Sequence, residues 1–222
     1  MPKDRSVVET VYEDKDKSRV AALLYSDGTV LVRNGRFSYP HVLVPKEGKD
    51  DNGNPTPASF SCTVLLPKRT HTGVKNLFVR LFDEILKEHK QKKLAPERKC
   101  FRDGDNYDKE EYEGHWYLAA REQKKNPPKV RDADGRTKLG PDDEARIYGG
   151  AYGHMLVRLW WQDNKHGKRI NAGLVGVQFV KDGEPFGDAT RVTEDDIDDT
   201  FGDEEEAGGF GGDDDDEDTG GL

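Results

Sequence analysis

From Glu194 to Leu222 the chain carries 15 Asp or Glu and no Lys or Arg, with glycines at 208, 209, 211, 212, 220 and 221. So dense a like charge with so little apolar surface cannot offset the entropy of ordering, and this stretch is expected to be disordered. Folding must therefore be accomplished upstream. All 35 Lys and Arg lie in residues 1–193, against 29 acidic residues, so that segment is +6 although the whole chain is -9. A basic body joined to an acidic ribbon points to a polyanionic partner for the body and an interaction role for the tail.

At 222 residues the chain suits one domain with extensions, or at most two small ones. Aromatics at Phe37, Tyr39, Phe60, Trp116, Tyr117, Tyr152, Trp160, Trp161 and Phe179 fall within apolar runs, enough for a modest core. Cys62 and Cys100 form no CxxC, so neither a disulfide framework nor a zinc site is suggested. No apolar run approaches the roughly 18 residues of a membrane span. The opening MPKDRSVVET lacks the apolar segment of a secretion signal. The expectation is an intracellular protein in a reducing compartment.

Alternating and β-prone runs dominate the body. RVAALLYSDGTVLVRNG places two of them around Asp27-Gly28, a hairpin signal. GRFSYPHVLVP reads as extended, with Pro40 arguing for an edge position or a strand end. A polar loop, KEGKDDNGNPTP, precedes the strand-like ASFSCTVLLP. GHWYLAAR reads as a strand and KVR as a short extended piece, and two long β-prone runs flank DNKHGK. One helix stands out: Val74, Leu77, Phe78, Leu81, Phe82, Ile85 and Leu86 trace a single α-helical face. Thr72 is its expected cap, Lys87, Lys90, Lys92 and Lys93 crowd its C-terminal end, and its expected task is to cover a sheet. Many short strands and one helix predict a small barrel or sandwich.

Three places combine cations with rings. The first is Lys99, Arg102 and Tyr107; the second Trp116, Tyr117, Arg121, Lys124, Lys125, Lys129 and Arg131; the third Tyr152, Arg158, Trp160, Lys165, Lys168 and Arg169. Unpaired nucleic acid needs this mixture, because cations follow phosphates and flat rings stack on bases of any sequence. In RLWWQ, strand alternation lets only one of Trp160 and Trp161 face the core; Trp160 shares a face with Arg158 and is taken as the binding ring. The competing reading uses Asp103, Asp105 and Glu111 of RDGDNYDKEEYEG as metal ligands of a nuclease. As a calcium loop that segment fails, with Tyr107 at the third ligand position and Asp108 where glycine is needed. The six histidines show no metal-ligand spacing, and HExxH, GxSxG and GxxxxGK[ST] are absent. Nothing marks an enzyme, and no cofactor is expected. A third reading is an acidic-tailed adaptor whose body binds protein.

Taken together, GRFSYPHVLVP, FRDGD…YEGHWYLAAR, the Pro-rich turn before DADG, IYGGAYGHMLVRLWW and NAGLVGVQFVKDGEPFG resemble the phage and prophage single-stranded DNA-binding proteins. The match runs in order from about Leu31 to Gly187. It implies an OB-fold, a five-stranded antiparallel barrel with extra hairpins and one amphipathic helix, acting in phage replication or recombination in the host cytoplasm. It divides the chain into an N-terminal extension (1–30), a single-stranded DNA-binding domain (31–190) and a disordered acidic tail (191–222). Arg36 and Tyr39 of the first motif join the candidate DNA contacts, and family analogy adds a homodimer. The resemblance also implies a tail like that of podoviral single-stranded DNA-binding proteins, which recruits replication or recombination partners of phage or host. Its candidate contacts are Phe201, Phe210, Asp213, Asp214, Asp215, Asp216, Glu217, Asp218 and Leu222. Many functional relatives end in Phe, whereas here the two tail phenylalanines are internal.

Overall fold

The computed structural model describes residues 5–49 and 53–186. Among the described residues the β-prone runs form nine strands: β1 (Val7–Glu13), β2 (Asp16–Tyr25), β3 (Thr29–Lys49), β4 (Pro55–Pro67), β5 (Phe101–Asp103), β6 (His115–Gln123), β7 (Lys129–Arg131), β8 (Tyr152–Asn164) and β9 (Gly167–Lys181). One α-helix, α1 (Thr72–Glu88), lies between β4 and β5. The expected hairpin at Asp27-Gly28 joins β2 to β3. Gly28 takes φ +78 there, and the Asp27 carboxylate accepts from Thr29 N and Oγ1 at 3.0 and 2.6 Å.

Five strands close on one another. β3 pairs with β4 and β8, β4 with β6, and β8 with β9, all antiparallel. The ring is completed by β6 and β9, which run parallel and meet at the single pair Arg121↔Gly173. This is the closed barrel of an OB-fold. β1 extends the sheet through β2, which pairs with β3. β7 runs parallel to β9.

β3 serves two sheet directions because it bends twice. Its register slips between Val32 and Gly35 against β8, and between Ser38 and His41 against β4. Asn34 (φ 59) and Tyr39 (φ 48) take up the bends in the left-handed region. Among the described residues β3 beyond Arg36 pairs with β4 alone, so Pro40 lies on an edge, as expected, but not at a strand end. It sits at a bulge in the middle of the strand, where its missing N–H costs no ladder bond.

Helix α1 spans the expected residues and buries Val74, Leu77, Phe78, Phe82 and Leu86. Phe78 stacks on Phe101 with ring centroids 4.7 Å apart. Thr72 is not its cap. It is the first helical residue, and the Asp14 carboxylate, from the turn between β1 and β2, accepts its N–H at 3.0 Å. Phe37, Phe179, Leu118, Met155, Ile170 and Leu174 fill the barrel. The packing leaves no slack at Gly153, where a Cβ would come 2.1 Å from the Phe37 ring. Among the described residues no helix is long and apolar enough to cross a membrane.

Candidate nucleic-acid interface

Strand alternation puts one side of β4, β6, β8 and β9 into the core and leaves the other to line an open groove of about 920 Å³. Its floor is made of small residues, Ser59, Ser61 and Thr63 of β4 and Ala119 of β6, and Ala120 of β6 and Ala172 of β9 border it from the core side of their strands. Large cationic side chains rise around it. Arg98 and Lys99 come from the segment before β5, Arg102 from β5, Arg121 from β6 and Arg169 from β9. Tyr39 and Trp160 stand in its walls, 52% and 47% exposed.

The cations are held mainly by neutral partners. Arg121 Nε donates to Ser59 Oγ at 2.6 Å, Arg98 Nη1 to the His166 carbonyl at 3.2 Å, and Arg169 Nη2 to the Glu97 carbonyl at 3.2 Å. The Arg102 guanidinium lies 5.3 Å from the Tyr117 ring, and its Nε is buried without a hydrogen-bond partner. Among the described residues none of Arg98, Lys99, Arg102, Arg121 and Arg169 has a carboxylate within 4 Å. Among those same residues Glu122 is the one acidic side chain in the lining. The groove therefore presents uncompensated positive charge over a floor of small residues.

The two rings are presented differently. Tyr39 is set by its left-handed backbone, and its hydroxyl accepts a hydrogen bond from Lys109 Nζ, which also lies 4.7 Å from the ring centroid. That hydrogen bond holds the Lys109 pKa above its ordinary value. Trp160 projects into the groove while its neighbour Trp161 packs against the core and stacks on His89 at 5.0 Å. Cys62 and Cys100 also border the groove, but burial raises both thiol pKa values, that of Cys100 to about 12, so neither is a nucleophile.

Of the cations and rings that the sequence singles out, the groove brings together Tyr39, Lys99, Arg102, Arg121, Trp160 and Arg169. Tyr107 is outside the lining, packed on Tyr112 and Tyr117 at 4.5 and 5.6 Å. Lys124 and Lys125 are exposed in the turn after β6, and Lys129 and Arg131 belong to β7. Trp116 packs against the core beneath Lys68. Arg158 reaches Asp27 at 3.6 Å, and Lys168 reaches Gln91 at 3.0 Å and Asp163 at 3.8 Å. Arg36 and Tyr152 are engaged elsewhere. Arg36 donates to the Gly150 and Glu184 carbonyls at 3.1 and 2.5 Å, and its guanidinium lies between the rings of Phe186 and Tyr152, at 4.2 and 5.4 Å. The tail candidates Phe201, Phe210, Asp213, Asp214, Asp215, Asp216, Glu217, Asp218 and Leu222 lie outside the described residues.

The groove adds residues that the sequence reading missed: Arg98, Gln162, Asn164, His166 and Asn171. Arg98 has no ring beside it in LAPERK, so a search for cations next to aromatics passes over it. Gln162, Asn164 and Asn171 were signalled only by alternation, since they share the Trp160 face of the β8–β9 hairpin.

The acidic loop takes another form. Lys68 Nζ donates to Asp103, and to Asp105 at 2.5 Å, while Asp105 also accepts from Gly114 N at 2.7 Å. The hydrogen bond from Lys68 lowers the Asp105 pKa. An ammonium group therefore sits where the nuclease reading needs a metal ion, and the loop is built as an ion-paired staple.

Comparison with known proteins gives a consistent set of likenesses. The sequence profile of the family described as Enterobacter phage Enc34, ssDNA-binding protein, matches residues 28–209. A protein of Acyrthosiphon pisum secondary endosymbiont phage 1, named putative protein p50, is 30% identical over 179 residues, covering 77% of this chain and 92% of its own. The solved single-stranded DNA-binding protein from bacteriophage Enc34 in complex with ssDNA superimposes with a TM-score of 0.70 at 37% identity, covering 83% of this chain and 99% of that one. Its C-terminal truncation gives a TM-score of 0.70 at 35% identity, covering 84% and 100%.

Proposed function

The chain belongs to the family of the Enterobacter phage Enc34 single-stranded DNA-binding protein, and from that premise we propose that it is a sequence-tolerant binder of single-stranded DNA whose contact surface is the groove described above. The observation that supports this reading is the coincidence of five cations lacking carboxylate partners among the described residues with two exposed rings over one small-residue floor. A single strand laid there sets its phosphates against Arg98, Lys99, Arg102, Arg121 and Arg169, and turns bases toward Tyr39 and Trp160. Stacking contributes about 1–3 kcal/mol per base and is indifferent to sequence, because every base has a π-face. Tyr39, Arg98, Arg121 and Arg169 are preset by Lys109, Ser59 and backbone carbonyls, so less ordering remains to be done on binding. Duplex DNA, with its bases stacked inward, gains only the charge component. The protein binds and releases, with no bond made or broken.

The role follows from the chemistry. Coating exposed strands protects them during phage replication and recombination in the infected cell. The acidic ribbon, 15 carboxylates without a cation, imitates a phosphate backbone and competes for the groove at an effective concentration on the order of mM. Single-stranded DNA displaces it and frees it to recruit replication or recombination proteins.

Titrating the full chain with oligo-dT while following tryptophan fluorescence tests the first claim: saturable quenching is expected, and an unchanged spectrum with no complex by any other readout would overturn it. Deleting residues 194–222 tests the second. The truncated chain should bind DNA more tightly at low salt and discriminate less against duplex; unaltered affinity at low salt would leave the ribbon no competing role.

A further inference from the structure

Helix α1 ends in an unusual way. The N–H of Lys90 donates to the Lys87 carbonyl at 3.1 Å and that of Gln91 to the Leu86 carbonyl at 2.8 Å, the paired closure that normally places glycine at the first residue beyond the cap. Here that residue is Lys90, at φ 54. A side chain in the left-handed region costs stability that glycine would avoid. Lys92 and Lys93 follow, and all three lysines are exposed. None has a carboxylate within 4 Å among the described residues. Complementing the helix dipole does not account for them, because that effect fades within the last turn, where Lys87 already stands.

The same segment is fastened to the groove. His89 stacks on Trp161, and Gln91 accepts from Lys168, so the helix end is bound to the side of the β8–β9 hairpin opposite Trp160. Farther along the chain, Arg98 and Lys99 line the groove, and Lys99 bridges to Ile170 of β9. Residues 89–99 thus carry positive charge from the groove wall round the hairpin's edge to the helix end.

We propose that Lys90, Lys92 and Lys93 form a phosphate-binding extension of the groove, over which a longer single strand continues after passing Arg98 and Arg169. The extension rests on the groove being the DNA site. It contributes charge without stacking, since the ring beside the three lysines, His89, is already stacked on Trp161. It therefore adds affinity only for strands long enough to reach it.

The test compares oligo-dT of about 6 and about 16 nucleotides, the range spanned by single OB-folds, on the full chain and on a Lys90→Gly, Lys92→Gln, Lys93→Gln variant. For the long strand the variant should lose affinity on the order of tenfold at low salt, and its salt slope should shrink by about 2, at about 0.7 per lost phosphate contact. For the short strand the two proteins should agree. Lys90→Gly alone should raise the melting temperature while weakening the long strand, a combination that a purely structural lysine would not give. Equal long-strand affinity of wild type and variant overturns the extension while leaving the groove intact. Equal loss on both lengths overturns it as well, because the lysines would then act as a general field. A wild-type chain that binds neither strand defeats the groove reading, and the extension with it.

Discussion

The groove and the Arg36 clamp are built from the same residue types and used in opposite ways. In the clamp, a guanidinium sits between Phe186 and Tyr152 and gives its hydrogen bonds to two backbone carbonyls. Tyr148 adds bonds to Asp182 and to the Gly183 carbonyl and N–H, at 3.0, 2.9 and 3.1 Å. Every component there is engaged by the chain itself, fixing residues 182–186 to the barrel. In the groove, five cations and two rings keep capacity in reserve. A cation next to an aromatic in sequence is therefore no sign of a binding site; the sign is a donor that the fold has left unspent.

The contrast predicts a division between stability and affinity. Trp161→Ala should cost about 3 kcal/mol of folding stability, read by denaturant melts, because the ring packs on the core and on His89. An acid titration of stability addresses the closed side too. His154 is buried, accepts a hydrogen bond from Asn34 N at 3.2 Å, and has its pKa lowered to about 4 by burial and by the neighbouring Arg33 guanidinium. Its folded-state pKa lies below the ordinary 6.5, so this contribution is fully present above pH 6.5 and is lost as pH falls toward 4, about 3 kcal/mol in all. A His154→Gln chain should show a flatter profile over that window. If the profile is unchanged, the acid sensitivity lies elsewhere.

Trp160→Ala should reverse the pattern of its neighbour, weakening oligo-dT by about 2 kcal/mol with the melt unmoved. Equal stability losses at 160 and 161 would erase the distinction between the two rings. Arg36→Ala should cost about 1–2 kcal/mol of stability and leave oligo-dT affinity as it was; a large loss of affinity would return Arg36 to the interface. The smallest effect is expected at Arg169→Gln, which should lower the salt slope by about 0.7.

Those distinctions also mark how far the sequence could be read. Helix α1 was legible because seven apolar residues keep the 3.6-residue period, and the Asp27-Gly28 turn because its chemistry is local. The Trp160/Trp161 alternation needed only the pleat of a strand. Pro40 marked an edge but not a strand end, because a bulge, set by backbone conformation at Tyr39, let β3 run on through it. Thr72 misled because the group satisfying the helix start, Asp14, lies 58 residues away. Arg36 and Tyr152 matched the groove residues by type, and only the return of Phe186 onto the barrel separates them. Arg98 was invisible for the converse reason, since the rings that share the groove with it, Tyr39 and Trp160, are distant in sequence.

The barrel's last joint lies beneath the groove. Strands β6 and β9 are held there by one rung, Arg121 against Gly173, whereas the β4–β6 ladder runs the length of β6. A strand of nucleotides crossing that seam would act as an external stitch, gripping Arg121 on one lip and Arg169 on the other. Occupancy would then slow the opening of the cylinder itself, and amide hydrogen exchange at Gly173 would report it as a mechanical consequence of loading.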